Sequence, residues 1–460
     1  MKLLRVICRL AFGLLFVLAG FLKAIDPIGT ALKIKEYIGV FHLSIIDFIS
    51  IPFALLLTCA EFLVGVAILK GLRMQLFSKI ALAFISFFTL LTLWIAIANP
   101  VSDCGCFGEV IHLSNKETFI KNLLLLFAAL IIYFQRDKYH KIARPKVEWG
   151  YLAIYAILII GLQGYSLRNI PQIDFGIYKP GTDLITRQQQ FQEREYETTF
   201  IYSKDGEEKT FTLNDIPDST WTFVDAKSVL VRGAAEDASI DFSFMDAQGN
   251  PIGNEIVQSN GPVFFISIYN ARALQLAAVE KIMALADTLH KHNLKLYIIS
   301  ANTVETTQAL FEPYEAEDGR TYSILYSDYK AVISFNRSSG GLTYVNSGII
   351  IKKWARGNYP LDNITQILEE DPEIITAQTR ISEQLFAEIS LFVILCLIMF
   401  IRVVSRFVYK HMHENKQENQ EEEQQDVPDV QGEQDKPGEQ DEEPQENEEH
   451  SISQQPENKE

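Results

Sequence analysis

The stretch LLRVICRLAFGLLFVLAGFL, residues 3–22, decides the class of fold. Its apolar residues continue for about the 20 positions that a helix needs to cross a bilayer. Five further apolar stretches follow at residues 51–69, 80–98, 119–134, 150–165 and, after a long polar gap, 387–401. No small-residue cleavage site follows the first stretch, so we interpret it as a span and not as a signal peptide. The sequence therefore predicts a multi-pass α-helical membrane protein with six spans.

Lysine and arginine residues indicate how these spans are oriented, because they concentrate on the cytoplasmic side of a membrane. They cluster at every second connection, as Lys2, Arg5 and Arg9, then Lys70, Arg73 and Lys79, then within residues 135–146, and finally as Arg402, Arg406 and Lys410. The amino terminus and the carboxyl-terminal tail are therefore predicted to be cytoplasmic. Residues 23–50, the loop around residue 104 and residues 169–383 are predicted to lie outside, in the periplasm if the membrane is a bacterial inner membrane.

The chain is predicted to have six parts. They are a four-helix bundle over residues 1–140, a fifth span over 141–168, a membrane-proximal linker with short strands over 169–239, a domain of alternating strands and helices over 240–370, a sixth span over 384–402, and an acidic tail over 411–460. Alternation of strands with helices is typical of an α/β domain.

The acidic tail is rich in Glu, Gln, Asp and Pro, and from Glu414 onward it carries −15 of the total net charge of −17. It has too few large apolar side chains to offset the entropy of ordering, so we expect it to be disordered. The rest of the chain has no basic stripe interleaved with aromatic residues, so the sequence argues against a nucleic-acid partner.

The motif VSDCGCFGE, residues 101–109, places Cys104 and Cys106 in a predicted exported loop at the membrane surface. A disulfide between them would close a very small ring, and strained disulfides tend to be labile or catalytic. Three chemistries remain open: a redox-active pair, a static clip, and soft-metal ligation with His112 as a third ligand. The usual spacing of zinc-binding cysteines is not met. Asp103, Gly105, Phe107 and Gly108 would shape the loop.

Glu61 lies within the second apolar stretch, where an ionised carboxylate is costly unless it is paired or protonated. It is therefore a candidate functional residue, although a purely structural hydrogen bond between helices explains it equally well. Cys8, Cys59 and Cys396 also lie within apolar stretches, and we interpret them as small, inert packing residues.

The first four stretches resemble the DoxX-like four-helix membrane proteins. The segments RLAFGLLFVLAGFLKAIDP and AEFLVGVAILKGL carry this resemblance, and SDCGCFG is similar to the pattern of the MauE branch. The matched positions are Lys23, Asp26, Pro27, Glu61, Gly65 and residues 104–108. The resemblance implies a four-helix bundle and, for MauE, a role in methylamine utilisation, in the maturation of a disulfide-rich periplasmic dehydrogenase. The remaining parts of this chain are additions to that pattern.

The domain over residues 240–370 resembles a thioredoxin-like domain of the exported TlpA type. GPVFFISIYN and LKLYIISAN are predicted strands, ARALQLAAVEKIMALADTLHKHN is a predicted helix, and GLTYVN and GIIIKKW form a predicted hairpin. The active-site C-x-x-C of that family should follow the first strand, but YNARALQ stands there. Gly340 stands where a cis-proline is usual. A binding or docking role therefore fits this domain better than catalysis.

Two main functions follow from these observations, and a carrier of lipids or small molecules through the helical bundle is a third. In the first, Cys104 and Cys106 handle thiols and disulfides of exported proteins, which would make the protein similar to a thiol-disulfide oxidoreductase if it is an enzyme at all. In the second, the protein is a non-catalytic, membrane-anchored docking protein. The expected partners are the lipid bilayer and an exported client or redox protein. The sequence identifies no cofactor and leaves a quinone or a soft metal open.

Overall fold

The structure, a computed structural model, describes residues 2–101, 104–111, 113–139, 144–192, 195–204, 207–212, 220–232, 243–252, 254–314, 322–394, 396, 400 and 403. Five helices in this part of the chain are long and apolar enough to cross a membrane: Leu3–Ile25, Ile45–Lys70, Met74–Ala98, Asn115–Phe134 and Pro145–Arg168. The predicted spans one to five are thereby confirmed as helices of suitable length and composition. The chain is a multi-pass membrane protein. The predicted disordered tail, residues 411–460, lies outside the described residues.

Six helices build the amino-terminal part: α1 (Lys2–Ile25), α2 (Pro27–Val40), α3 (Ser50–Lys70), α4 (Met74–Ala98), α5 (Asn115–Phe134) and α6 (Pro145–Arg168). The short helix α2 occupies part of the segment that we expected to be a loop. Its start follows from two neighbouring residues. The Asp26 carboxylate accepts a hydrogen bond from the Gly29 amide over 2.9 Å, and Pro27 occupies the first turn. Both residue types favour a helix start at these positions.

Helices α1 and α3 pack closely because small residues line their contact. A Cβ atom on Gly65 would lie 2.6 Å from the Val17 amide nitrogen, and one on Gly20 would lie 2.8 Å from the Phe62 amide nitrogen. Lipid-exposed helices have no hydrophobic effect to drive them together, so this close backbone approach stabilises the pair through van der Waals contact.

Helices α4 and α5 are joined by polar contacts within an apolar surrounding. The Asn122 amide donates to Thr92 Oγ1 over 3.2 Å, and all three of Thr89, Thr92 and Asn122 are buried. Polar side chains of this kind connect membrane helices because the surrounding lipid offers no other partner.

The carboxyl-terminal domain contains a seven-stranded mixed sheet. Its strands are β5 (Phe244–Met245), β6 (Pro251–Ile252), β7 (Pro262–Ile268), β8 (Leu296–Ser300), β9 (Tyr322–Tyr326), β10 (Gly341–Asn346) and β11 (Ile349–Trp354), in the order β11-β10-β7-β8-β9-β5-β6. Strands β7, β8 and β9 are parallel, and β10 runs antiparallel to β7.

Helices cover both faces of this sheet. They are α8 (Leu276–Lys291), α9 (Val304–Phe311), α10 (Tyr329–Phe335) and α11 (Ile364–Glu369). Along β7, Phe264 packs with residues of α8 on one face, whereas Phe265 packs with residues of α10 on the other. Strand β7 is therefore apolar at nearly every position, as expected for a parallel strand that is buried on both sides.

Most elements of this domain agree with the prediction. Strands β7 and β8, helix α8 and the hairpin β10–β11 are all confirmed. At the start of α9, the Thr303 hydroxyl accepts from the Thr306 amide over 3.3 Å. Strand β9 and helix α10 were not predicted, because YSILY and YKAVISF are too short to show a clear period.

Two segments connect the bundle to the sheet. After α6, the chain runs along the sheet edge, where the Gly181 amide donates to the Ile350 carbonyl over 2.6 Å. Residues 184–192 form α7 (Leu184–Gln192), and a three-stranded antiparallel sheet of β2 (Glu195–Lys204), β3 (Glu207–Thr212) and β4 (Thr222–Arg232) follows. The segment predicted to be a linker with short strands thus contains strands of 10, 6 and 11 residues.

Residues 372–394 are helical and lead back to the bundle. Ala387 and Ile394 pack against a buried cluster that includes Phe21 and Tyr155. Residues 396, 400 and 403 are also helical, but residues 395, 397–399, 401 and 402 lie outside the described residues, so the sixth span over 384–402 stays a prediction.

Candidate functional site

The loop between α4 and α5 brings two free thiols together. Cys104 Sγ and Cys106 Sγ lie 2.8 Å apart, and Cys106 begins the short strand β1 (Cys106–Glu109). Gly105 between them has φ +65°, a left-handed conformation that residues with a Cβ adopt at a cost. The sequence Cys-Gly-Cys thus folds into a tight turn that directs both sulfur atoms to the same place.

Two side chains from neighbouring helices hold this loop in position. The Tyr37 hydroxyl of α2 donates to the Cys104 carbonyl over 3.2 Å. The Asn115 amide, at the start of α5, donates to the Val101 carbonyl over 2.9 Å and to Asn99 Oδ1 over 2.7 Å. These hydrogen bonds, made before the cysteines and at Cys104, restrict the motion of the thiol pair.

The two thiols have different acidities. The hydrogen bond from the Cys104 thiol lowers the pKa of Cys106 to about 6, against the effect of burial and with help from the charges of Lys121 and Lys23. The same hydrogen bond, together with burial, raises the pKa of Cys104 well above its usual value. Cys106 therefore has the lower pKa of the two and loses its proton first, and a thiolate is the reactive form of cysteine.

Glu61, the candidate within the second span, is paired. Its carboxylate lies 2.6 Å from Lys23 Nζ of α1, and the two residues are only 8% and 6% exposed. A buried carboxylate requires such a partner. The pairing agrees with the expectation that Glu61 is paired or protonated, and it brings together two of the positions that carried the family resemblance.

The thiols, the ion pair and several helices surround one cavity of about 710 Å³. Most of its wall is apolar and comes from α1 to α5, with aromatic and aliphatic side chains such as Phe16, Ile34, Phe53, Leu57, Phe84 and Phe88. Its polar wall includes Lys23, Glu61, Cys104, Cys106, Lys121 and Asn122. A large apolar cavity with a few converging polar groups is the usual form of a small-molecule site.

Arg337 of the sheet domain reaches the cysteine loop. It follows α10 and is 4% exposed, and its guanidinium contacts Glu109 of β1 and Asp26 between α1 and α2. Burial lowers the pKa of Arg337, but the charges of Asp26 and Glu109 raise it, and the net shift is upward. The guanidinium therefore stays charged and links the sheet domain to the strand after the thiols and to the start of α2.

Helix α2 makes a second set of contacts with the same domain. Lys35 Nζ lies 4.2 Å from the centre of the Tyr329 ring, and Lys330 Nζ lies 3.7 Å from Glu36 Oε2. Tyr329 and Lys330 belong to α10. Helix α2 is thus held between the sheet domain and the rest of the bundle.

The edge of the sheet domain that meets the bundle includes the residues directly after β7, where the predicted resemblance to thioredoxin-like domains would place the missing cysteines. Tyr269, directly after β7, donates its hydroxyl to the Arg337 carbonyl over 2.7 Å, and the Asn270 amide donates to Ser339 Oγ over 3.1 Å. Gly340, where a cis-proline was expected in such a family, has φ +84°. No cysteine stands at this described edge.

The structure brings some predicted site residues together and leaves others out. Cys104, Gly105, Cys106 and Phe107 line the cavity, whereas Gly108 turns the strand behind them with φ +64°. Asp103 and His112 lie outside the described residues, so metal ligation with His112 remains open. Among the described residues, no group of three His, Cys, Asp or Glu side chains is arranged to hold a metal ion.

Three residues of the site were missed by the sequence reasoning. Lys121 could have been found, because a lysine within an apolar span is a functional candidate by default. Glu109 stands in the quoted cysteine motif, but nothing there indicates its partner. Arg337 offered no signal, because it lies 228 positions from Glu109 and 311 from Asp26.

Comparison with known protein families agrees with the predicted resemblance of the membrane bundle to MauE. The family model described as Methylamine utilisation protein MauE matches residues 1–135, and a second model, a domain of unknown function (DUF8463), matches residues 196–233. No curated protein and no solved structure matches the chain. The matched segment contains α1 to α5, the thiol pair and the cavity, so the membrane part of the site is MauE-like.

Proposed function

We propose that this protein handles thiols and disulfides in the membrane through the Cys104/Cys106 pair, and thereby assists the maturation of exported proteins. The observation that carries the proposal is the 2.8 Å separation of the two sulfur atoms. Two thiols this close form a disulfide with little movement of the backbone. The different acidities of the two cysteines supply a nucleophile, Cys106, and a second sulfur to resolve a mixed disulfide.

The resemblance of residues 1–135 to MauE suggests the setting. By this resemblance, the protein acts in a methylamine-utilisation type of maturation, on a disulfide-rich exported client. The distribution of Lys and Arg supports an inner-membrane location with the thiol loop and the sheet domain in the periplasm. Disulfides form and persist in that compartment.

The sheet domain is proposed to be a thioredoxin-like domain that has lost its cysteines. The parallel strands β7 and β8, the intervening helix α8 and the antiparallel hairpin β10–β11 support this interpretation. Its role would be docking. The contacts of Arg337 with Asp26 and Glu109 favour one form of the docking function. In this form, the domain docks on the membrane bundle of its own chain and shields the thiols.

A trapping experiment tests the redox role. In the Cys104→Ser variant, the more acidic Cys106 has no resolving partner, so it should accumulate in mixed disulfides with exported proteins. The Cys106→Ser variant should trap less, because the remaining Cys104 is mostly protonated. Cys59→Ser serves as a control that leaves the pair intact. Absence of any mixed disulfide in all three variants would contradict the redox role and favour the docking role alone.

A further inference from the structure

The cavity beside the thiols carries an inference of its own, which rests on the proposed redox role of Cys104 and Cys106. We infer that the cavity binds a lipid-soluble quinone, and that this quinone exchanges two electrons with the thiol pair.

Access to the thiols differs between the two sides of the loop. Cys104 is only 9% exposed, and Arg337 of the sheet domain contacts Glu109, three residues beyond Cys106. The sheet domain thus contacts the last residue of the strand that begins at Cys106. Both cysteines nevertheless line the cavity. In the conformation described, a small molecule inside the membrane bundle reaches the sulfur atoms more directly than another protein does.

The cavity wall is polar at one end and apolar elsewhere. Lys23 lies two residues before the end of α1, and Lys121 lies in the second turn of α5, so both belong to the end of the bundle that carries the thiol loop. Glu61 is paired with Lys23 at this end. The rest of the wall is aromatic and aliphatic. A molecule with a polar ring and a long apolar tail matches such a division, whereas a purely apolar lipid chain would leave the charged end unused.

The size of the cavity and the hydrogen-bonding groups in its wall also match a quinone. A cavity of about 710 Å³ is within the range that holds ligands of drug size. A quinone has two carbonyl oxygens, which are hydrogen-bond acceptors, and a lysine ammonium group is a donor only. Lys23 and Lys121 are therefore suited to polarise a quinone carbonyl and to stabilise the negative charge that develops on its oxygen during reduction.

The reaction balances with water as the only other reagent. The Cys106 thiolate and the Cys104 thiol together lose two electrons and the Cys104 proton, and one S–S bond forms between them. The quinone gains the two electrons, the Cys104 proton and one proton from water, and leaves as the quinol. The reverse direction converts the disulfide back to the dithiol at the expense of a quinol.

Purified full-length protein in lipid nanodiscs allows the test, with a short-chain ubiquinone as the probe. We expect saturable binding of one quinone per chain, read by quenching of Trp94, whose ring stacks on the cavity residue Phe41 at 5.1 Å between centroids. Reduced wild-type protein should lose two free thiols for each quinol formed. The Cys104→Ala/Cys106→Ala double variant should still bind the quinone but form no quinol.

Two matched variants locate the binding. Ala83 lines the cavity on α4, and the Ala83→Phe variant fills part of it, so quinone binding should weaken about tenfold or more. Leu90 lies on the same helix, is 68% exposed and is not part of the cavity wall, so Leu90→Phe should bind normally. Equal binding by both variants, or binding without oxidation of the thiols, would overturn the inference.

A parallel measurement separates this inference from the proposed function. The thiol pair is equilibrated with a glutathione redox buffer in the absence of quinone. A pair that cycles in this buffer but neither binds nor reduces the quinone leaves the redox role intact and removes the quinone alone. A pair that does not cycle in either reagent removes both.

Discussion

Arg337 Nε donates a hydrogen bond to Asp26 Oδ2 over 3.1 Å, and this contact ties the sheet domain to the membrane bundle. The same guanidinium contacts Glu109, the last residue of the strand that begins with Cys106. A domain without active-site cysteines is therefore coupled, through one buried side chain, to the loop that holds the thiol pair. The first prediction concerns this coupling.

Arg337→Gln should open the thiol loop. Loss of the guanidinium leaves two carboxylates without their cation, and removal of one partner from a buried ion pair costs about 3–5 kcal/mol. The rate at which a membrane-impermeant maleimide labels Cys106 should rise several-fold relative to wild type. Arg356 is exposed on the same domain, and the control Arg356→Gln should label at the wild-type rate. Equal labelling of both variants would argue against a shielding role.

Cys106 should react as a thiolate at unusually low pH. Its pKa is lowered to about 6 by the Cys104 hydrogen bond, so the alkylation rate should rise as the pH passes about 6 and level off above it. An ordinary thiol would level off only near its usual pKa of about 8.5. In Cys104→Ala the hydrogen bond is gone, so the midpoint should move to higher pH. The measurement is the pH dependence of labelling by an uncharged maleimide in detergent.

Lys121→Met provides a smaller test of the same electrostatics. The positive charge of Lys121 lowers the pKa of Cys106, so its removal should shift the midpoint of labelling upward without changing the number of accessible thiols. An unchanged midpoint would mean that Lys121 does not influence the sulfur. Lys116, near the start of the same helix and outside the cavity wall, gives the matched control Lys116→Met.

Lys23 and Glu61 should behave as a unit. Lys23→Met leaves the Glu61 carboxylate buried without a partner and should lower the stability by about 3–5 kcal/mol. The double variant Lys23→Met/Glu61→Leu removes both charges and should recover much of that loss. Thermal unfolding in detergent measures both. Additive losses in the double variant would contradict a direct pair.

The contact between α1 and α3 should be intolerant of even one methyl group. Gly65→Ala places a Cβ 2.6 Å from the Val17 amide nitrogen, so the helices must separate, and the thermal midpoint should fall. Gly161 on α6 has no atom within 4 Å of its Cβ position, so Gly161→Ala should be neutral or slightly stabilising. A similar midpoint for both variants would contradict the close packing.

How much of this could be predicted depends on the separation of the residues along the chain. The spans and the strands β7 and β8 follow from local patterns that need no distant partner. The thiol pair was predicted as a site because a single residue separates its two members in the sequence. The Lys23–Glu61 pair was half predicted, since burial of Glu61 required a partner without identifying it. Arg337, by contrast, acquires its role only when the sheet domain folds onto the bundle.

The cavity was also beyond prediction, for a related reason. The sequence of each helix that lines the cavity is typical of an ordinary apolar span. The space between the helices depends on how α1 to α5 pack. The sequence therefore left a quinone or a metal open without a place for either. The fold adds a cavity beside the two sulfur atoms and the buried ion pair, and the proposed quinone would occupy it.

The oxidation state of Cys104 and Cys106 in living cells tests the central claim most directly. Whole cells are quenched with acid, and the free thiols are labelled with a mass-tagged maleimide in a variant whose other three cysteines, Cys8, Cys59 and Cys396, are serine. The account predicts that dithiol and disulfide forms are both present, and that the balance shifts when cells are treated with a reductant and then returned to air. A pair that stays in one form throughout would contradict it.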